Sequence, residues 1–192
     1  MGLGKQAKIL TEAQVKAVLA HLGGTKSPER NRVIFLLSVD AGLRAKEIAS
    51  ITWQMVTDAE GILTNQIALQ DGASKGRSGG RVYMSKRLMQ ALYDLSSKGR
   101  EPLGPIVLSS RTRKAMSPNT IVLWFSGVYQ ALGFEGCSSH SGRRTAITRW
   151  ARKISSVGGS IRDVQALARH SSLQMTQRYI EVSEDAMRRG VD

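Results

Sequence analysis

Val15, Val18, Leu19 and Leu22 fall three and four residues apart, the spacing that lines one face of an α-helix. Thr11, followed three residues later by Gln14, supplies a reciprocal cap for the start of that helix, and Gly23-Gly24 ends it. Ser27-Pro28 opens a second helix, with Ile34, Leu36 and Leu37 on its buried face up to Asp40. Gly42 breaks the pattern. The stretch from Ala45 to Ile51 then predicts a short helix with Arg44 at its N-terminus, where unpaired backbone N–H groups favour anions. Between Ile62 and Met84 the period changes. Gln66 to Gln70 and Arg81 to Met84 predict short strands flanking GASKGRSGG, a glycine-rich hairpin tip that carries Lys75 and Arg77. Ser85 caps a further helix with Leu88, Leu92 and Leu95 at helical spacing, and Ile106 to Leu108 form a short apolar run. Ser117-Pro118 repeats the helix-start signal. Ile121, Val122, Leu123, Trp124, Phe125 and Val128 are apolar on nearly all sides, which predicts that this helix is central to the core. In HSGRRTAITRWARK, residues Ile147, Trp150, Ala151 and Ile154 share one face and Arg149, Arg152 and Lys153 fall mainly on the other. Gly158-Gly159 separates that helix from Ile161 to Ala168, and Ser172 caps a last helix carrying Tyr179. The predicted class is α+β and mainly helical, a single domain of packed helices with one small antiparallel sheet.

Composition narrows the partner. The 192 residues can bury one sizeable core. Lys and Arg number 28 against 15 Asp and Glu, a net charge of +13, while charged residues are an ordinary 22% of the chain. The excess therefore lies in sign, and such a field favours a polyanion. Aromatic residues at 5% leave little material for stacking single-stranded bases, so duplex DNA held by its phosphates suits the chain better. The single Cys137 excludes an internal disulfide and fits a reducing compartment. With three histidines and no zinc-type spacing, no metal site is expected. No stretch approaches the roughly 18 apolar residues of a membrane span, and no secretory-type start is present, so the cytoplasm and its nucleoid are the expected location.

Four polar motifs remain. GLRAKE gives Gly-x-Arg-x-x-Glu around Arg44 and Glu47, HSGR gives His140 and Arg143, LARHSS supplies His170, and TQRYIEV holds Tyr179. Taken singly, each residue has an ordinary use as surface charge, helix cap or half-buried phenol. In this order and at these separations, from about Thr11 to Tyr179, they resemble the tyrosine recombinase, or phage integrase, family.

The resemblance implies a catalytic domain over residues 11–180, preceded by an arm of residues 1–10 and followed by a tail, 181–192, that docks on a neighbouring protomer. It also implies site-specific recombination of duplex DNA as a homotetramer on paired sites, with a monomer allowed in the absence of DNA. Arg44 and Arg143 would neutralise the phosphate, since guanidinium forks bind its oxygens in bidentate fashion and keep their charge. Tyr179 would attack phosphorus to leave a 3′-phosphotyrosine, so no ATP, metal or other cofactor is needed. Lys75, on the hairpin, would protonate the departing 5′-oxygen. His140 and His170 would hydrogen-bond the phosphate and assist proton transfer, Glu47 would be the structural acid, and Arg77, Arg81 and Arg144 would contact DNA. Strand exchange would pass through a Holliday junction, as in mobile genetic elements.

The chain also departs from the family pattern. Ala168-Arg169-His170 stands where relatives carry Leu-Gly-His, Arg144 stands where many carry histidine, and the hairpin is a residue longer than usual between Lys75 and Arg81. The helical core-binding domain that usually precedes the catalytic one would have to lie before residue 11. Either the sequence is a recombinase with a catalytic domain alone or it is a piece of a longer chain. Two rival readings stand beside this one: a type IB topoisomerase, which shares the chemistry but relaxes supercoils, and, from another class, a recombinase-derived DNA-binding factor that has lost activity.

Overall fold

A computed structural model describes residues 7–70, 80–99 and 103–179. The described elements are α1 (Glu12–Gly23), α2 (Pro28–Val39), α3 (Ala45–Ser50), β1 (Gln66–Leu69), β2 (Gly80–Tyr83), α4 (Lys86–Ser96), α5 (Pro118–Ala131), α6 (Ser141–Ile154), α7 (Ile161–Ala168) and α8 (Leu173–Gln177). The α+β, mainly helical class with a two-stranded antiparallel sheet is the one predicted. The chain divides into two compact units, Met1–Ala146 and Ile147–Asp192, and α6 runs across the division. No helix among the described residues is long and apolar enough to cross a membrane.

In the first unit the local signals read in the sequence do their work. Thr11 Oγ1 accepts the Gln14 N–H at 3.1 Å and Gln14 Oε1 accepts the Thr11 N–H at 3.0 Å, so α1 starts on a complete capping box. Ser85 and Ser117 likewise cap α4 and α5. Pro28 sits in the first turn of α2, although Ser27 makes no side-chain capping bond.

The core centres on α2, which buries Asn31 and every residue from Val33 to Val39 and packs against α1, α3 and α4. This corrects the expectation that α5 is the central helix. On α5 only Ile121, Phe125, Val128 and Tyr129 are buried, whereas Val122 and Leu123 are exposed at 40% and 63%. The buried set has the i, i+4, i+7, i+8 spacing of a single face, laid on α3. An apolar run fixes which residues can be buried; whether neighbours cover every side is settled by tertiary packing.

β1 and β2 pair with Gln66 opposite Tyr83 and Leu69 opposite Gly80. Ile67, Leu69 and Val82 enter the core while Ala68, Arg81 and Tyr83 face outward, the alternation of a half-buried hairpin. A tie unforeseen in the sequence anchors its base. Ser85 Oγ and Arg87 Nε each donate to Asp40 Oδ2 at 2.6 Å, and Arg87 Nη2 donates to Oδ1. The Asp40 side chain is 3% exposed, so its desolvated carboxylate requires these partners. The same hydrogen bonds raise the pKa of Arg87 against the lowering effect of its own burial.

The second unit has a smaller core. Ile147, Val164 and Ala168 are buried, with Trp150, Ala151, Ile154, Ile161 and Tyr179 packed around them, so the predicted apolar face of α6 is the one used. Gly158 turns the chain at φ +77°, and a Cβ on Gly159 would lie 2.7 Å from Ile154 Cγ1. Ser160 and Asp163 cap α7, and those hydrogen bonds hold the Asp163 carboxyl below the usual aspartate range.

Candidate active site

Arg44 owes its place to a glycine and a buried acid. Gly42 turns the chain at φ +64°, a conformation that costs any residue with a Cβ, and delivers Arg44 to the N-cap of α3. Glu47, fully buried, accepts the Arg44 backbone N–H at 2.7 Å through Oε2 and Arg44 Nη1 at 3.2 Å through Oε1. The carboxylate thus satisfies an orphan amide of the helix start and fixes the guanidinium above it, at 24% side-chain exposure. Glu47, which the motif singled out as a structural acid, makes both of these contacts to Arg44.

Arg143 lies in the first turn of α6, 5% exposed, and its Nη1 donates to the Gly42 carbonyl at 2.5 Å. The backbone turn that places Arg44 therefore also receives Arg143 from 101 residues away. The approach of α6 explains the glycine in HSGR. A Cβ on Gly142 would lie 2.3 Å from Ser38 Oγ and 2.9 Å from Ser38 Cβ, so only glycine lets this helix start so close to α2. His140 is exposed just before α6, where its carbonyl accepts the Arg144 N–H at 2.9 Å.

The other candidates of this unit are less committed. Arg144 is half-buried and its Nη1 donates to the Ala7 carbonyl at 2.9 Å. With the Leu10 N–H on Thr145 Oγ1 at 2.9 Å, this ties residues 7–10 of the predicted arm to α6. Arg81 is exposed on β2. Lys75 and Arg77 lie outside the described residues, as does the tail of residues 181–192.

In the second unit His170 and Tyr179 meet. Their rings stack with centroids 5.4 Å apart and planes at 28°. Tyr179 is half-buried in the small apolar cluster, and its N–H donates to the Thr176 carbonyl at 3.0 Å. His170 is 7% exposed, and its Nδ1 lies 2.9 Å from Oγ1 of the fully buried Thr176. Its backbone is clamped by Gln165, whose carbonyl accepts the His170 N–H and whose Nε2 donates to the His170 carbonyl, both at 3.1 Å. Arg169, at the position where the family pattern has glycine, adopts the left-handed conformation at φ +51° that ends α7. Among the described residues no group of three or more His, Cys, Asp or Glu is placed to hold a metal ion.

The sequence reading missed Thr176, Gln165, Asp40 and the Gly42 carbonyl. For Thr176 the one available signal was its place in the TQRY string; the other three act through partners far along the chain or through the backbone, where local pattern carries no mark.

Residues 8–185 match the model of the phage integrase family. The chain belongs to this family. Among curated relatives in it, tyrosine recombinase XerC of Pelobacter propionicus is 26% identical over 160 residues, covering 82% of this chain and 49% of the relative. A tyrosine recombinase of Synechococcus elongatus is 27% identical over 177 residues, covering 83% and 54%. The chain thus spans about half the length of these relatives. The fold is also that of the XerA recombinase, at a TM-score of 0.72 and 21% identity over 99% of this chain and 64% of the other. It is likewise that of the Tn1549 transposon integrase, solved with a circular intermediate DNA, at 0.73 and 18% over 98% and 66%.

Proposed function

We propose that this phage integrase family member is a site-specific DNA recombinase that cuts and rejoins duplex strands through a 3′-phosphotyrosine. The observation that carries the reading is the bond from Arg143 to the carbonyl of Gly42, the turn that leads into the Glu47-held Arg44. Two guanidinium groups held there, one by a buried carboxylate and one by a backbone carbonyl, form a preorganised cationic seat for a phosphate whose charge grows in the transition state. Tyr179 supplies the phenolic oxygen. It attacks phosphorus, the bond to the 5′-oxygen breaks, and Lys75 delivers the proton that oxygen needs. His140, the exposed imidazole, accepts the phenol's proton, while His170 bonds a nonbridging oxygen.

The net charge of +13 supports duplex DNA as substrate. Arg77, Arg81 and Arg144 contact backbone phosphates in this reading. A groove of about 720 Å³, lined in part by Lys26, Arg30, Lys98, Arg113 and Lys114, adds further cations to this reading. Assembly follows the family: four protomers on two sites, a Holliday junction between the two strand exchanges, and residues 181–192 docked on a neighbour. A cytoplasmic, nucleoid-associated enzyme carried by a mobile element fits this activity.

The test is a suicide duplex nicked beside the cleavage point. The wild-type protein should form a covalent adduct that resists denaturation, and Tyr179→Phe should form none. No adduct with wild type, or as much with the phenylalanine variant, overturns the reading. Site-independent relaxation of a plasmid by a monomer would replace it with a topoisomerase.

A further inference from the structure

We infer that Thr176 is a positioning residue that holds His170 as the tautomer protonated on Nε2, so that this histidine meets the phosphate as a hydrogen-bond donor and not as a base. The functional half of this inference rests on the reading proposed above; the tautomer itself does not.

The argument begins with one hydroxyl proton. Thr176 lies in α8 with no exposure to solvent, and its Oγ1 is 2.9 Å from His170 Nδ1. A hydroxyl carries a single proton, and a threonine within a helix can place it on a backbone carbonyl one turn back. Here the bond formed is to the imidazole. If Nδ1 carried the ring proton it would donate to the threonine oxygen, and the buried hydroxyl hydrogen would lose its acceptor. A buried donor without an acceptor is disfavoured by about tenfold or more in population, whereas an unused oxygen lone pair costs less. The hydroxyl therefore donates to an unprotonated Nδ1, and the proton of the neutral ring resides on Nε2.

The surroundings keep the ring in that pose. Gln165 clamps the His170 backbone from both its N–H and carbonyl sides. Tyr179 covers the face of the ring at 28°, leaving the in-plane nitrogens to partners at the ring edge. Thr176 serves both groups at once: its hydroxyl orients the imidazole and its carbonyl accepts the Tyr179 N–H at 3.0 Å. An Nε2–H is suited to a nonbridging phosphate oxygen, which accepts only. The task of taking the phenol's proton then falls to another group, and His140 is the exposed imidazole of the first unit.

Nitrogen NMR reads the tautomer directly on the full chain without DNA. Histidine labelled with ¹⁵N, recorded near pH 8 where an ordinary imidazole is neutral, should show His170 Nδ1 in the unprotonated range and Nε2 in the protonated range. The His170→Gln variant assigns the signals. Thr176→Val should shift the tautomer ratio by about tenfold or more, and Thr176→Ser should restore it. On the suicide duplex, Thr176→Val should form adduct about tenfold more slowly and Thr176→Ser near the wild-type rate. A wild-type ring protonated on Nδ1 overturns the inference, even where the valine variant does not fold. So does a folded valine variant with an unchanged ratio. The Nε2–H tautomer, shifted in Thr176→Val and restored in Thr176→Ser, with no adduct from wild type upholds the positioning role and overturns the recombinase reading.

Discussion

In residues 1–146 the candidate arginines hang from a framework built on α2, with a buried glutamate and a glycine carbonyl as their fixed points, whereas in residues 147–179 the candidate tyrosine is itself part of the packing. The first unit buries α2 almost all round and spends polar partners on holding cations still. The second has three fully buried apolar side chains, and Tyr179 helps to cover them. A group that must meet a dianion-like transition state profits from rigid placement, because no reorganisation is then needed when charge develops. In the proposed reaction Tyr179 is the group that has to reach phosphorus, and its place at the edge of a small cluster leaves it few apolar contacts to give up.

Breaking the framework side should have the largest effect. Arg143→Lys retains the charge but loses the fork that reaches the Gly42 carbonyl, and single-turnover adduct formation should fall by on the order of 10²–10³-fold. Gly142→Ala attacks the same framework through packing. Its methyl would meet Ser38 Oγ at 2.3 Å, so denaturant unfolding should show a loss of about 1–3 kcal/mol. Adding Ser38→Gly should recover more than half of that loss, and failure to recover any would place the strain elsewhere.

Much of the fold was legible because its signals are local. Thr11 with Gln14, Ser85, Ser117 and Ser172 each announce a helix within three residues, and glycines 42, 158 and 159 stand where the backbone needs them. The candidate residues could be named from the sequence, whereas the contacts that hold them could not. Arg143 reaches Gly42 across 101 positions and the Leu10 N–H reaches Thr145 across 135, and no local pattern encodes such partners. The centrality of α5 was misjudged for a related reason, since coverage of a helix is a property of its neighbours.

The second unit can be sharpened by smaller changes. Arg169 occupies the left-handed region at φ +51°, a cost of about 1–2 kcal/mol for a residue with a Cβ. Arg169→Gly should therefore raise the stability of this unit by about 1 kcal/mol, net of the backbone freedom glycine gains when unfolded. Hydrogen exchange of the α7 amides measures it, and faster exchange would mean that Arg169 contributes more through its side chain than it costs through its backbone. The smallest effect is one of pH. The folded-state pKa of Asp163 is lowered by its bonds to Ser160, so its contribution is complete above the ordinary aspartate pKa of 3.8 and is lost as pH falls below it. Exchange at the start of α7 should quicken over that acidic window in wild type, beyond the intrinsic trend, and Asp163→Asn should flatten the response.

The Asp40 tie has a consequence for how this chain tolerates change. Because Ser85 and Arg87 grip Asp40 at the foot of the β1–β2 ribbon, its two legs are set by an ionic knot and by paired strands, independently of whatever spans them. Sequence changes between Leu69 and Gly80 should then leave the register of the two described strands unchanged, even where they remove Lys75 or Arg77 from the proposed machinery.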